Sequence, residues 1–201
     1  MKSSLIALFT LFAFIASSAK AEFVVDVNGQ PVINGGTYYI QPYIWAIGGG
    51  LRVGITGNET CPLSVVVSPF EVDKGLSWRI SSPLKILYVR TNSRVDFSVE
   101  GKLPNCAPSP KSWTIVEEEH GVESVKISGY KNTIKGVFKI QKYTQIAYKI
   151  VFCSTDGDSC GDIGLSNRRL VITDDNPLGL VFVKAESTEV SKQVINNVLE
   201  A

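Results

Sequence analysis

The chain has 201 residues, and 20 lysines and arginines nearly balance 19 aspartates and glutamates, leaving a formal charge of +1. So even a balance gives no electrostatic reason to expect nucleic acid or an anionic membrane surface as a partner. The length suits one domain, large enough to bury a core of its own.

The first residues read as an export signal. Lys2 precedes an apolar run without charge from Leu5 to Ile15, and Ala19-Lys20-Ala21 closes it in an A-x-A pattern. These features predict a cleaved secretory signal over 1–21. The run is too short to span a bilayer core of about 30 Å with ease, and no later stretch approaches that length. Cleavage removes Lys2 and Lys20, which takes the basic count from 20 to 18 against 19 acids. The mature chain is expected to be soluble and exported, to the extracellular space or the vacuole.

Strands dominate the mature chain. In order the sequence predicts them at Phe23–Val27, Thr37–Pro42, Leu63–Val67, Lys85–Val89, Val95–Val99 and Ser112–Val116. The series continues at Val125–Ile127, Val137–Ile140, Ala147–Phe152, Leu170–Ile172 and Leu180–Val183. Each is short and rich in β-branched or aromatic residues. In Ala147–Phe152, Tyr148, Ile150 and Phe152 alternate with Lys149 and Val151, the period of a strand. Turn residues separate the runs: Asn28-Gly29, Asn34-Gly35-Gly36, Gly48-Gly49-Gly50, Gly57-Asn58, Lys74-Gly75, Gly129 and Asp156-Gly157. So many short strands with frequent turns imply a closed all-β form, since closure removes exposed edges. From Glu186 to Ala201 the pattern turns polar, with Val190, Val194, Ile195, Val198 and Leu199 at helical spacings. Residues 186–201 are expected to form a tail outside the core, flexible or processed.

Four cysteines, Cys61, Cys106, Cys153 and Cys160, follow the signal. An even count in an exported chain reads as two disulfides, for which sequence alone allows three pairings. Zinc would want two close pairs, and only Cys153 and Cys160 are near each other, so no metal is expected. Asn58-Glu59-Thr60 is a glycosylation sequon that export makes usable.

No reaction centre assembles, and no cofactor is implied. The single histidine, His120, sits in the acidic run Glu117-Glu118-Glu119, which reads as a solvated turn. There is no G-x-S-x-G elbow. Gly48-Gly49-Gly50-Leu51-Arg52-Val53-Gly54 misses the dinucleotide fingerprint by one residue and lacks a βαβ setting, so it reads as a loop where backbones approach closely. Asp174-Asp175 reads as solvated surface.

One set of motifs resembles a known family. Val25-Asp26-Val27-Asn28-Gly29-Gln30-Pro31-Val32 and Asn34-Gly35-Gly36-Thr37-Tyr38-Tyr39-Ile40-Gln41-Pro42 look like the N-terminal signature of the Kunitz soybean trypsin inhibitor family. Thr56 to Leu63, Asp73-Lys74-Gly75, Ile80-Ser81-Ser82-Pro83, Val151-Phe152-Cys153, Cys160 to Gly164 and Arg168 to Val171 continue the match, from about Phe23 to Lys184. The stretch from Arg90 to Leu103 matches weakly. The resemblance implies a β-trefoil, a six-stranded barrel capped by three hairpins, over 22–185, although no threefold repeat is visible in the letters. It also implies disulfides Cys61–Cys106 and Cys153–Cys160.

For function, the resemblance implies an inhibitor of a trypsin-like serine proteinase, acting as a monomer, in plant defence or in the regulation of an endogenous enzyme. Its substrate-like loop would be Ser82, Pro83, Leu84, Lys85, Ile86 and Leu87, with Lys85-Ile86 as the scissile bond. Lys85 would enter an acid-bottomed specificity pocket, Pro83 would restrict the loop, and Asn34 would brace it. From letters alone Asn34 could instead be the left-handed residue of a Gly35-Gly36 turn. Leu84 stands where the family has an aromatic residue. Two other functions fit the same fold: a non-inhibitory binding or storage protein, or an inhibitor of a cysteine or subtilisin-like proteinase through another loop such as Asp156-Gly157-Asp158.

Overall fold

The structure is a computed structural model, and it describes residues 22–61, 63–100, 103, 106, 111–118, 121–128, 130–155 and 159–185. Among the described residues thirteen strands are found: β1 Gly36–Pro42, β2 Leu51–Gly54, β3 Ser64–Val67, β4 Ser77–Ser81, β5 Arg94–Val99, β6 Trp113–Glu117 and β7 Glu123–Ile127. They continue with β8 Thr133–Ile134, β9 Gly136–Lys142, β10 Tyr148–Ser154, β11 Cys160–Ser166, β12 Arg169–Thr173 and β13 Leu180–Lys184. A three-residue 3-10 turn, Trp45–Ile47, lies between β1 and β2. The expected signal over 1–21, His120, Asp156-Gly157-Asp158 and the tail over 186–201 lie outside the described residues.

Pairing closes six strands into a ring. The order β13-β1-β4-β5-β9-β10 returns to β13 through the Tyr148–Leu180 pair. Every ladder is antiparallel, and each barrel strand sends two alternate residues inward. They are Tyr38 and Ile40, Trp78 and Ile80, Val95 and Phe97, Phe138 and Ile140, Tyr148 and Ile150, and Leu180 and Phe182, all buried. Period-2 alternation is what lets a narrow barrel fill its lumen with side chains. Each such burial contributes roughly 1.5–3 kcal/mol. Ladder register stacks them, with Tyr38 opposite Trp78, Ile80 opposite Phe97, and Ile40 opposite Phe182.

The remaining long strands make three hairpins, β2–β3, β6–β7 and β11–β12. They meet one another through the pairs Arg169–Val66, Val171–Ser124 and Ser64–Lys126. A six-stranded barrel with three hairpins closing one end, built from β1–β4, β5–β9 and β10–β13, is a β-trefoil. Trp113 of β6 ties cap to barrel, stacking on Phe97 at 4.4 Å and meeting Trp78 edge-on at 5.3 Å. The disulfides join Cys61 to Cys106 and Cys153 to Cys160.

Several expected elements differ. The segment 23–27 is no strand, because it holds only the isolated bridges Phe23–Arg90 and Val25–Pro31. The expected strand Lys85–Val89 is a bent loop followed by isolated bridges at Tyr88 and Arg90. Strands β2, β4, β8 and β11 were not expected. Close backbone approach at the triple glycine is real: a Cβ on Gly50 would lie 1.9 Å from the Lys74 carbonyl oxygen. The run after it continues directly into β2 instead of remaining loop.

Candidate functional site

The N-terminal segment, although not a strand, is laced into the barrel mouth. The Val24 N–H donates to Val89 O, the Val89 N–H to Val32 O, and the Val32 N–H to Val24 O, at 2.8–3.0 Å. All three valines are fully buried. Two barrel tyrosines hold the same segment with their hydroxyls: Tyr38 accepts from Ile33 N–H and Tyr148 from Val25 N–H, each at 2.9 Å. Buried rings with a polar tip need such partners. Ile33 is thereby fixed, and Asn34 follows it.

Asn34 is aimed at the loop after β4. Its Oδ1 accepts from the Ser82 N–H at 2.7 Å. Its Nδ2 donates toward the carbonyls of Ser82, Leu84 and Ile86 at 3.3, 3.1 and 2.9 Å. Its own backbone N–H donates to Leu87 O at 2.9 Å. One residue thus contacts the loop on both sides of Lys85. The left-handed residue of the turn is Gly35, with φ +81°, and not Asn34. Gly35 donates its N–H to Ile80 O at 2.7 Å. The Arg79 guanidinium packs where a Cβ on Gly35 would come, at 3.2 Å.

Within the loop, the Ile86 N–H donates to Leu84 O at 2.9 Å. That i→i+2 bond closes a γ-turn with Lys85 at its apex. The Leu84 N–H donates to Ser82 Oγ at 3.3 Å. Pro83, Leu84, Lys85 and Leu87 are exposed and Ile86 is half-buried. Leu84 and Leu87 are 52% and 65% exposed, which is high for leucine. No ion pair among the described residues uses Lys85. Beyond Leu87 the chain is pinned again, by the Ile33–Tyr88 bridge, the edge-on contact of Phe23 with Tyr88 at 5.6 Å, and Arg90 over the Phe23 ring at 5.5 Å.

The arrangement offers a short convex segment, stiffened from inside by hydrogen bonds, with one cation and two leucines facing solvent. Among the described residues, no group of three or more His, Cys, Asp or Glu side chains is placed to hold a metal ion. Sequence reading missed Tyr38, Arg79 and the valine clamp. Tyr38 was readable only as a buried-face residue of β1, and its hydroxyl partner depends on the tertiary fold.

A second charged cluster lies at the hairpin cap, beside a cavity of about 700 Å³. Lys126, 7% exposed, reaches Glu59 at 2.6 Å and Glu118 at 2.8 Å. Arg169 meets Glu118 at 2.5 Å. Glu59 also accepts from Ser64 Oγ, Tyr130 OH and Thr56 N–H. Burial pushes both glutamates up, but Lys126 and the other donors more than offset it and hold them below the usual carboxylate range. For Tyr130, burial and the Glu59 carboxylate push the phenol up. These charges satisfy one another, which is a structural role. Asn58 lies at the rim, in an exposed turn whose Gly57 has φ +56°.

Comparison with known proteins decides the family. A family profile, the legume Kunitz group described as trypsin and protease inhibitors, matches residues 24–184. The chain belongs to the legume Kunitz inhibitor family. Trypsin inhibitor 1A of Psophocarpus tetragonolobus is 44% identical over 175 residues, covering 83% of this chain and 100% of that one. Trypsin inhibitor A of Glycine max is 38% identical over 209 residues, covering 96% of each. Among solved structures, soybean trypsin inhibitor superimposes with TM-score 0.76 at 37% identity, over 82% of this chain and 100% of that one. A complex of soybean trypsin inhibitor with porcine pancreatic trypsin matches with TM-score 0.75 at the same identity and the same coverage. Kunitz inhibitors of this kind are binding proteins, not enzymes. In this member no helix among the described residues is long and apolar enough to cross a membrane.

Proposed function

We propose that this Kunitz family member inhibits trypsin-like serine proteinases by presenting Lys85-Ile86 as a substrate that is bound tightly and hydrolysed slowly. The observation that carries the reading is the set of Asn34 hydrogen bonds to Ser82, Leu84 and Ile86, which flank Lys85 on both sides. A bound peptide must normally lose conformational freedom, and a loop already ordered from inside loses less. Lys85, exposed at the apex, supplies the cation that an acid-bottomed primary pocket takes. After acyl transfer, Ser82 and Leu84 on one side and Ile86 and Leu87 on the other would still be held by Asn34. The freed amine would stay near the acyl bond, favouring resynthesis over hydrolysis.

The chain is read as a monomer that is exported after loss of 1–21, to the extracellular space or the vacuole, where a proteinase inhibitor serves in defence or in the control of an endogenous enzyme. Residues 22–185 form the inhibitor domain and 186–201 a tail. Asn58 is exposed on its turn, as a glycan acceptor must be. Titration of trypsin with the purified protein, followed by sequencing of any chain cut at equilibrium, tests the assignment. Submicromolar to nanomolar inhibition, about −8 to −12 kcal/mol, with a new N-terminus at Ile86 is expected. Inhibition without that cut, and unaffected by loss of Lys85, sinks it.

A further inference from the structure

Two Asn-Gly pairs occur among the described residues, Asn28-Gly29 and Asn34-Gly35, and the fold treats them oppositely. Asn-Gly is the dipeptide in which the following backbone nitrogen, unshielded by a side chain, most easily reaches the asparagine Cγ. Resting on the loop assignment above, we propose that Asn34 is a latent deamidation site whose conversion disarms the inhibitor. The same hydrogen bonds that brace the loop keep it from reacting, while Asn28, in an exposed turn, ages faster and without consequence.

The chemistry needs only water. The Gly35 nitrogen loses its proton and attacks the Asn34 Cγ. The N–Cγ bond forms, the Cγ–Nδ2 bond breaks, and ammonia leaves with a proton from solvent, giving a five-membered succinimide. Water then adds to either ring carbonyl and opens it to aspartate or isoaspartate. For attack, Cγ must swing over the Gly35 nitrogen, and that nitrogen must be free of its hydrogen-bond partner.

In the folded protein neither condition holds at position 34. The Asn34 side chain is fixed by the Ser82 N–H and three loop carbonyls. The Gly35 N–H is committed to Ile80 O at 2.7 Å, and Arg79 covers the glycine at 3.2 Å from where a Cβ would sit. Position 28 differs. Asn28 and Gly29 are exposed, the space around Gly29 is open to 4 Å, and the Asn28 side chain makes no hydrogen bond among the described residues. The Gly29 N–H bonds Asp26 O at 2.9 Å, so only the side-chain condition is met there, and attack has to await the opening of one exposed turn.

Conversion at Asn34 replaces the donating Nδ2 by a carboxylate oxygen. It then faces the carbonyl oxygens of Ser82, Leu84 and Ile86 across 2.9–3.3 Å, acceptor against acceptor. The loop loses its interior support and is repelled by the new charge.

The test incubates the purified protein at mildly alkaline pH, folded in one arm and unfolded with its disulfides reduced in the other. Peptide mapping by mass spectrometry tracks the two asparagines separately. In the unfolded arm both should convert at similar rates. In the folded arm Asn28 should slow only modestly, since one exposed turn must open, while Asn34 slows by about a hundredfold or more, since it must await an opening of the braced loop. The Asn34→Asp variant should inhibit trypsin at least about a hundredfold more weakly, and Asn28→Asp should inhibit normally. Equal conversion of the two sites in the folded arm, or full inhibition by Asn34→Asp, overturns the proposal. Undiminished inhibition by Lys85→Ala would instead sink the loop assignment, and it would leave the two conversion rates as they are.

Discussion

The side-chain amide of Asn34 and the carbonyl of Ile86 lie 2.9 Å apart although 52 positions separate them in the chain. The contact spans the proposed scissile bond from beneath. Asn34→Ala removes it together with the bonds to Ser82 and Leu84, all at part-exposed positions where water can replace the lost donor. The fold should therefore survive. Inhibition should weaken by roughly tenfold to a hundredfold, and hydrolysis at Lys85-Ile86 should speed up. Inhibition constants and the rate of appearance of the cut chain measure both effects.

Lys85 carries the specificity. Lys85→Ala should cost several kcal/mol of binding to trypsin, because it leaves the buried acid of the pocket unpaired. Lys85→Leu should move inhibition toward a proteinase whose primary pocket is apolar. A panel of trypsin-like and chymotrypsin-like enzymes reads both, and unchanged ranking across the panel would count against the site.

Tyr38 couples the barrel core to the loop. Tyr38→Phe keeps the ring but orphans the Ile33 N–H, at a cost of about 1–3 kcal/mol in stability. The segment carrying Asn34 should loosen as well. Denaturant unfolding should show a lower midpoint with an unchanged slope, and amide exchange should quicken at Ile33 before it does in β9 or β10.

The cap cluster sets acid sensitivity. Glu59 and Glu118 are held below their ordinary value of 4.5 in the folded protein. Depressed folded values stabilise fully above the unfolded pKa, and that stability is lost as pH falls through the folded values. The melting temperature should therefore be nearly level from neutral pH down to about 5, then drop below the ordinary glutamate range. Glu59→Gln should be less stable at neutral pH and show a shallower acid drop. An unaltered acid profile in that variant would place the sensitivity elsewhere.

The two disulfides should differ in weight. Cys61 and Cys106 are separated by 45 positions, Cys153 and Cys160 by 7. On loop entropy alone, removing the first should cost about 4 kcal/mol and the second about 2. Paired Cys→Ser variants compared by denaturant unfolding give the ordering directly.

The closed all-β form and most strands were legible because alternation along runs such as Tyr148–Phe152 meets the physical demand of a filled barrel. Threefold symmetry was not. The corresponding inward pairs Tyr38 and Ile40, Val95 and Phe97, and Tyr148 and Ile150 share bulk but not identity, and packing requires only bulk. Strand β2 hid behind its three glycines. The reading of Lys85–Val89 as a strand failed instructively: Ile86, Leu87, Tyr88 and Val89 have strand-forming side chains, but the Asn34 contacts and the turn at Lys85 overrule local preference. No local signal encodes a bond from a residue fifty positions away. Asn34 itself was legible only through resemblance to a family, and its geometry only in three dimensions.

The Cys61–Cys106 bridge has its two ends on opposite sides of the Lys85-Ile86 bond. A nick there would therefore open the backbone without making two molecules, since the fragments stay stapled together by sulfur. An electrophoretic gel should show the cut species running as one chain until a thiol is added, and only then as two. In an oxidising compartment the broken inhibitor remains a single covalent object, so a reducing environment, rather than the proteinase, decides whether it comes apart.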